Sequence, residues 1–128
     1  MSNAPTVLLG EVPLIRAFVR SATTDTATTV TPDDSGSMFV NLSTTGDHTY
    51  TLSGGVAAFK GKWFIFFNAQ TSYATIVTDG DSGDDIMCGD DTGADTVTGS
   101  AVTGDWMMIT SDGTYFYGFQ GYGTWTAS

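Results

Sequence analysis

The residues best suited to chemistry lie in one acidic stretch, residues 79–95, which reads DGDSGDDIMCGDDTGAD. Asp79, Asp81 and Asp85 are separated by glycine and other small residues, which let a loop fold its carboxylates around one cation. Calcium prefers about six to eight oxygen ligands, and aspartates in a glycine-containing loop can supply them. The stretch lacks the closing glutamate and the flanking helices of an EF-hand. Calcium at these three aspartates is therefore one interpretation, and two polar turns around Ile86 and Met87 are the other.

Other reactive side chains are few, and they are not spaced for catalysis. His48 is the only histidine, and with no second histidine to share a metal and no nearby nucleophile it is expected to be a solvent-facing strand residue. Cys88, the only cysteine, is expected to be a small buried or half-buried thiol. The sequence has no HExxH, no phosphate-binding glycine loop and no nucleophile–histidine–acid spacing. It predicts a protein that is not an enzyme.

Aromatic residues near the C-terminus suggest a second kind of site. Exposed tyrosine and tryptophan beside acidic and amide groups can stack on sugars, so Tyr117, Tyr122 and Trp125 are candidate glycan or interface contacts. In the alternative interpretation, alternate aromatics fill the core and the others pack at a subunit contact.

The elements that position these residues are predicted to be strands. Apolar runs at residues 106–109 and 115–119 flank Asp112-Gly113, a dipeptide typical of a hairpin turn. Residues 62–68, KWFIFFN, are nearly continuous in apolar side chains, as in a strand covered on both faces. Glycine, threonine and serine are abundant, and 41% of the chain is hydrophobic. We therefore expect an all-β fold, an antiparallel β-sandwich or jelly roll of about eight strands.

The first 20 residues differ from the rest and are predicted to form an extended N-terminal arm (residues 1–20) ahead of a β-sandwich domain (residues 21–128). Pro5 and Pro13 disfavour regular structure, and Arg16 and Arg20 are two of the four basic residues of the chain. An arm of this kind lays its apolar residues on another surface; an irregular first edge strand is the alternative. The expected contact residues are Val7, Leu8, Leu9, Val12, Leu14, Ile15, Arg16, Phe18 and Arg20.

The net charge of the chain limits the kinds of partner that it can bind. Four basic and fourteen acidic residues give a formal net charge of −10, which disfavours binding to nucleic acid and to anionic membranes. Cations, or a partner with a basic patch, are favoured instead. The sequence has neither an apolar run near the roughly 20 residues of a membrane helix nor a signal-peptide pattern, so synthesis in a cytoplasm is expected.

Several short motifs resemble small β-domains of tailed-phage virion proteins, which occur as capsid decoration (cement) proteins and as modules of head or tail fibres. The motifs are turn and core residues spread over roughly residues 33–125: Asp33-Asp34-Ser35-Gly36, Phe64 to Asn68, Gly104-Asp105, and Ser111 to Thr114 with the aromatics that follow. The chain departs from the resemblance after Leu52, where Ser53-Gly54-Gly55 replaces a Pro-Ala-rich loop, and it lacks a fibre-forming repeat.

The resemblance implies a decoration protein on the virion surface, made in the host cytoplasm. Such a protein stabilises the head by bridging subunits of the major capsid protein, often as a homotrimer, and the arm would provide the contact. A fibre or lectin-like module that binds a host-surface glycan is the alternative function.

Overall fold

The structure is a computed structural model that describes residues 18–81, 83 and 85–128, with Phe18 described for its backbone only. The described chain forms twelve strands and two short 3₁₀ turns. The strands are β1 (Phe18–Ala22), β2 (Thr28–Val30), β3 (Ser37–Asn41), β4 (His48–Leu52), β5 (Trp63–Asn68), β6 (Thr75–Thr78), β7 (Ile86–Cys88), β8 (Asp91–Ala94), β9 (Thr96–Gly99), β10 (Trp106–Ser111), β11 (Phe116–Tyr122) and β12 (Trp125–Ala127), and the turns are Pro32–Asp34 and Val56–Phe59. No helix in this part of the chain is long and apolar enough to cross a membrane.

The strands form two sheets that pack as a β-sandwich, so the predicted fold class is confirmed. The seven-stranded sheet has the order β1-β3-β5-β10-β11-β7-β8, and the five-stranded sheet has the order β12-β9-β6-β4-β2. From β1 to β6 the chain alternates between the two sheets, so every second strand returns to the same sheet in the same direction. β1, β3 and β5 are therefore parallel to one another, as are β2, β4 and β6.

This winding changes two predicted details. Five of the ten ladders between the described strands are parallel, so the expectation of an antiparallel sandwich holds for only half of the pairings. Twelve short strands replace the expected eight. The additional strands include β7 and β8, in the acidic segment where polar turns were one interpretation, and β12 after the predicted hairpin. The hairpin of β10 and β11 forms as predicted, with Gly113 at φ +91° in its turn.

An aromatic cluster between the sheets makes up much of the core. Phe39 and Phe66 of the seven-stranded sheet stack at 5.5 Å, and each ring lies within 5.3 Å of the ring of Tyr50 from the five-stranded sheet. Ring pairs at such distances add to the free energy gained by burying apolar area. Cys88 is buried in the same core, as predicted, and burial raises the pKa of its thiol.

His48 is buried rather than solvent-facing, which corrects the prediction. Its side chain is 1% exposed and packs on the ring of Tyr50 at 4.6 Å. Its Nδ1 lies 2.6 Å from the carbonyl oxygen of Thr24, an acceptor, so Nδ1 carries the proton and donates. Its Nε2 lies 2.7 Å from Oγ1 of Thr28. The alternation of β4 places His48, Tyr50 and Leu52 on the inner face, and the two hydrogen bonds satisfy the buried ring.

The predicted boundary at residue 20 falls inside β1. This strand begins at Phe18 and pairs with β3 over its whole length. Arg20 is part of the domain: its Nη1 lies 2.6 Å from Oδ1 of Asp34, and its guanidinium lies 5.1 Å from the centre of the Phe39 ring. Residues 18–20 therefore belong to the β-domain.

Candidate functional site

The outward side of the seven-stranded sheet carries apolar side chains in register across its strands. One row joins Val19, Met38, Ile65, Met108 and Phe119, and crosses from β1 to β11. The next row joins Ser21, Val40, Phe67, Trp106 and Tyr122, and a third joins Trp63, Thr110 and Tyr117. We call these three rows the outer apolar face.

None of the side chains on the outer apolar face is charged, although the chain carries a net charge of −10. Val19 is 65% exposed, Phe119 54% and Tyr122 61%, so the face is open to solvent. A groove of about 240 Å³ runs over it, lined by Met38, Ile65, Phe67 and Trp106. None of the described elements forms a third layer over this side of the sheet.

The outward side of the five-stranded sheet is different, because threonine occupies almost every position. One row joins Thr29, Thr51, Thr78 and Thr96, and the other joins Thr49, Ile76, Thr98 and Thr126. Threonine suits a strand that faces water, since its branched Cβ favours extended backbone and its hydroxyl stays solvated. The sandwich therefore has one polar outer face and one apolar outer face, and exposed apolar patches of this kind are typical of interaction surfaces.

The candidate glycan residues separate in the structure. Tyr117 and Tyr122 lie on the outer apolar face, where the hydroxyl of Tyr117 donates to Oδ2 of Asp112 at 2.7 Å. Trp125 is 4% exposed in the core, and its Nε1 donates to the carbonyl oxygen of Tyr122 at 3.1 Å. A buried indole offers no surface for a sugar to stack on, which removes Trp125 from the candidate set.

The three aspartates predicted as cation ligands come together in the loop between β6 and β7. Asp79, Asp81 and Asp85 each offer a carboxylate oxygen, and these oxygens lie within 4.8 Å of one another. Asp79 is 2% exposed, and its Oδ2 accepts from the backbone N–H of Asp85 at 3.3 Å. Burial, with the negative charges of Asp81 and Asp95, raises the pKa of Asp79 to about 6. The carboxylates can therefore act together on one positively charged ligand.

The predicted arm lies mostly outside the described residues. This holds for Val7, Leu8, Leu9, Val12, Leu14, Ile15 and Arg16, and Phe18 is described only as the first backbone position of β1. Arg20 is engaged with Asp34 inside the domain. The described chain begins at the edge strand of the sheet that carries the outer apolar face.

Comparison with known proteins returned neither a matching protein-family model nor a matching curated protein.

Sequence reasoning missed the outer apolar face. The run at residues 62–68 was expected to be covered on both faces, whereas Trp63, Ile65 and Phe67 lie half-buried on an open surface. The available signal was the lack of charge in residues 63–68 and in residues 106–110. Strands whose inward and outward positions are both apolar require a partner on each side.

Proposed function

We propose that the protein is a structural subunit of a larger assembly, and specifically a capsid decoration protein of a tailed phage. The observation that carries the proposal is the outer apolar face, whose uncharged side chains cross five strands of an otherwise acidic protein. Large exposed apolar patches are typical of interaction surfaces. The choice of a phage capsid as the assembly comes from the resemblance of the sequence to tailed-phage virion domains.

The occupant of the outer apolar face is a second copy of this chain. Two molecules of net charge −10 repel when their acidic surfaces approach, and the outer apolar face, which has no carboxylate in its own rows, is where two copies can meet with the least repulsion. Burial of apolar area contributes about 25 cal/mol per Å², from which the entropic cost of association is subtracted. A homo-oligomer, such as the predicted trimer, buries this face.

The N-terminal arm then supplies the contact with the major capsid protein. It precedes β1 at the edge of the same sheet and is rich in apolar residues, with only Glu11 and Arg16 charged in residues 1–17. Bridging by the arms would oppose the outward pressure of a packaged genome, while the acidic surfaces repel neighbouring particles.

Light scattering on the purified full chain over a range of concentrations tests the association. We expect a homo-oligomer for the wild type and a lower mass for Phe119→Ser, because this substitution removes a ring that is 54% exposed on the outer apolar face. Val102→Ser is the matched control, since Val102 is 50% exposed in the loop before β10, and its mass should equal that of the wild type. A monomeric wild type at all concentrations contradicts the proposed partner.

Co-sedimentation tests the decoration role. The purified chain is mixed with heads from the phage whose genome encodes it, produced without this protein, and we expect saturable binding. Absence of binding by a well-folded oligomer contradicts the decoration role and leaves the association result intact.

A glycan-binding module is the second candidate, favoured by the exposed ring of Tyr122. It predicts a glycan-array signal that Tyr122→Ala abolishes, with Phe119→Ser as a control for the general loss of apolar surface.

A further inference from the structure

The loop between β6 and β7 holds a buried carboxylate whose charge is not fully compensated. Asp79 is 2% exposed, and its Oδ1 is buried with no hydrogen-bond partner among the residues that the structure describes. An unsatisfied buried oxygen of a charged group is unfavourable, because it has lost its contacts with water and gained nothing in return. A bound cation is one way to restore that interaction.

We propose that Asp79, Asp81 and Asp85 form a calcium site that joins the two sheets of the sandwich. The cluster supplies three carboxylate oxygens, and the buried, unpartnered oxygen of Asp79 is the second observation that points to a ligand. This inference is independent of the decoration role and of the outer apolar face.

The loop suits calcium better than magnesium, because Ca²⁺ accepts about six to eight oxygens in irregular geometry at about 2.3–2.6 Å. The three carboxylate oxygens lie within 4.8 Å of one another, close enough to contact one such ion. Magnesium, with oxygens at about 2.0–2.1 Å, requires a tighter and more regular octahedron. Water and backbone carbonyls would complete the coordination shell of calcium.

The position of the loop gives the ion a structural role. The backbone N–H of Asp79 donates to the carbonyl of Asp95, beside the five-stranded sheet, at 3.1 Å. The carbonyl of Asp85 accepts from the N–H of Phe116, in the seven-stranded sheet, at 2.8 Å. An ion held by both carboxylates therefore links the sheets, and its binding free energy adds to the stability of the fold.

Thermal unfolding of the full chain, first treated with chelator and then titrated with Ca²⁺ alone, tests the site. We expect the melting temperature of the wild type to rise with Ca²⁺ and to rise less with Mg²⁺ at the same concentration. Terbium luminescence, sensitised by the aromatic residues and displaced by Ca²⁺, gives a second readout that reports binding directly.

Asp81→Asn is the main variant, because Asp81 is exposed and its Oδ1 contact with the N–H of Gly83, at 2.8 Å, survives in asparagine. Asp91→Asn is the matched control: Asp91 makes the same contact with the N–H of Gly93, at 3.0 Å, outside the cluster. We expect the apparent affinity for Ca²⁺ to fall at least about tenfold in Asp81→Asn, through loss of a charged ligand, and to be unchanged in Asp91→Asn.

Asp79→Asn distinguishes the loss of a calcium site from the general effect of removing a negative charge. Without Ca²⁺ this variant should melt at or above the temperature of the wild type, since it removes a buried negative charge, yet it should gain nothing from Ca²⁺. No Ca²⁺ response in the wild type, or an equal response in Asp81→Asn and Asp91→Asn, overturns the proposal. Either result leaves the light-scattering test of association unaffected.

Discussion

Ile65 and Ile76 lie on the two opposite outer faces of the sandwich. Ile65, in β5, lies between Met38 and Met108 on the outer apolar face, whereas Ile76, in β6, lies between Thr49 and Thr98. Both side chains are half-buried. The same residue type is thus embedded in an apolar row on one side and in a threonine row on the other.

This pair gives the first prediction. Ile65→Lys should dissociate the proposed oligomer, because association would bury an unpaired ammonium group, whereas Ile76→Lys should leave the mass unchanged. Both variants lower the net negative charge equally, so weaker long-range repulsion cannot explain a difference between them. Light scattering measures the masses, with circular dichroism as the check on folding. Equal masses for the two variants would show that the outer apolar face does not hold the oligomer.

The sequence predicted the features of the fold that depend on neighbouring residues. Alternation, turn dipeptides and β-branched composition sufficed for the all-β class and for the hairpin around Asp112 and Gly113. The parallel pairing of β3 with β5 was not predictable in this way, because the strand between them crosses to the other sheet. Which sheet a strand joins depends on contacts that are distant in the sequence.

The same distinction applies to the candidate sites. Asp79, Asp81 and Asp85 are close in the sequence, and their convergence followed from the loop itself. The outer apolar face assembles residues from β1 to β11, and only the register of five strands brings Val19 and Phe119 into one row. His48 was predicted to face solvent because either set of alternate residues in such a strand could face the core. Only packing against the other sheet decides which set faces inward.

The Asp112 carboxylate should make the stability of the hairpin depend on acid. It accepts from the Tyr117 hydroxyl and from the N–H groups of Tyr115 and Thr114, and these bonds lower its pKa from 3.8 to about 2. A pKa lowered by folding stabilises the protein above the unfolded value, and that contribution is lost as the pH falls from about 4 towards 2.

Tyr117→Phe tests this dependence because it removes the largest cause of the shift. An NMR titration of the Asp112 carboxyl should show its pKa rising towards 3.8, and thermal unfolding should show a smaller loss of stability between pH 4 and pH 2. An Asp112 pKa that is the same in the variant and the wild type would exclude the Tyr117 hydrogen bond as the cause.

Two truncations test the boundary between arm and domain. Removing residues 1–16 leaves β1 whole, so we expect an unchanged melting temperature and a loss of binding to phage heads. Removing residues 1–20 also deletes most of β1 and the contact between Arg20 and Asp34, so the melting temperature should fall. Circular dichroism and co-sedimentation measure the two effects. A lower melting temperature in the shorter truncation would favour the edge-strand interpretation of this segment.

The buried ring of His48 should contribute measurably to the free energy of unfolding. His48→Phe keeps an aromatic ring beside Tyr50 but removes the hydrogen bonds with Thr24 and Thr28. We expect a loss of about 1–3 kcal/mol, because those partners become unsatisfied in a part-buried position. Thr49→Val, on the outward side of the same strand, is the control and should change the stability by less than about 0.5 kcal/mol. Urea unfolding measures both variants, and equal stability of His48→Phe and wild type would mean that water replaces the two bonds at no net cost.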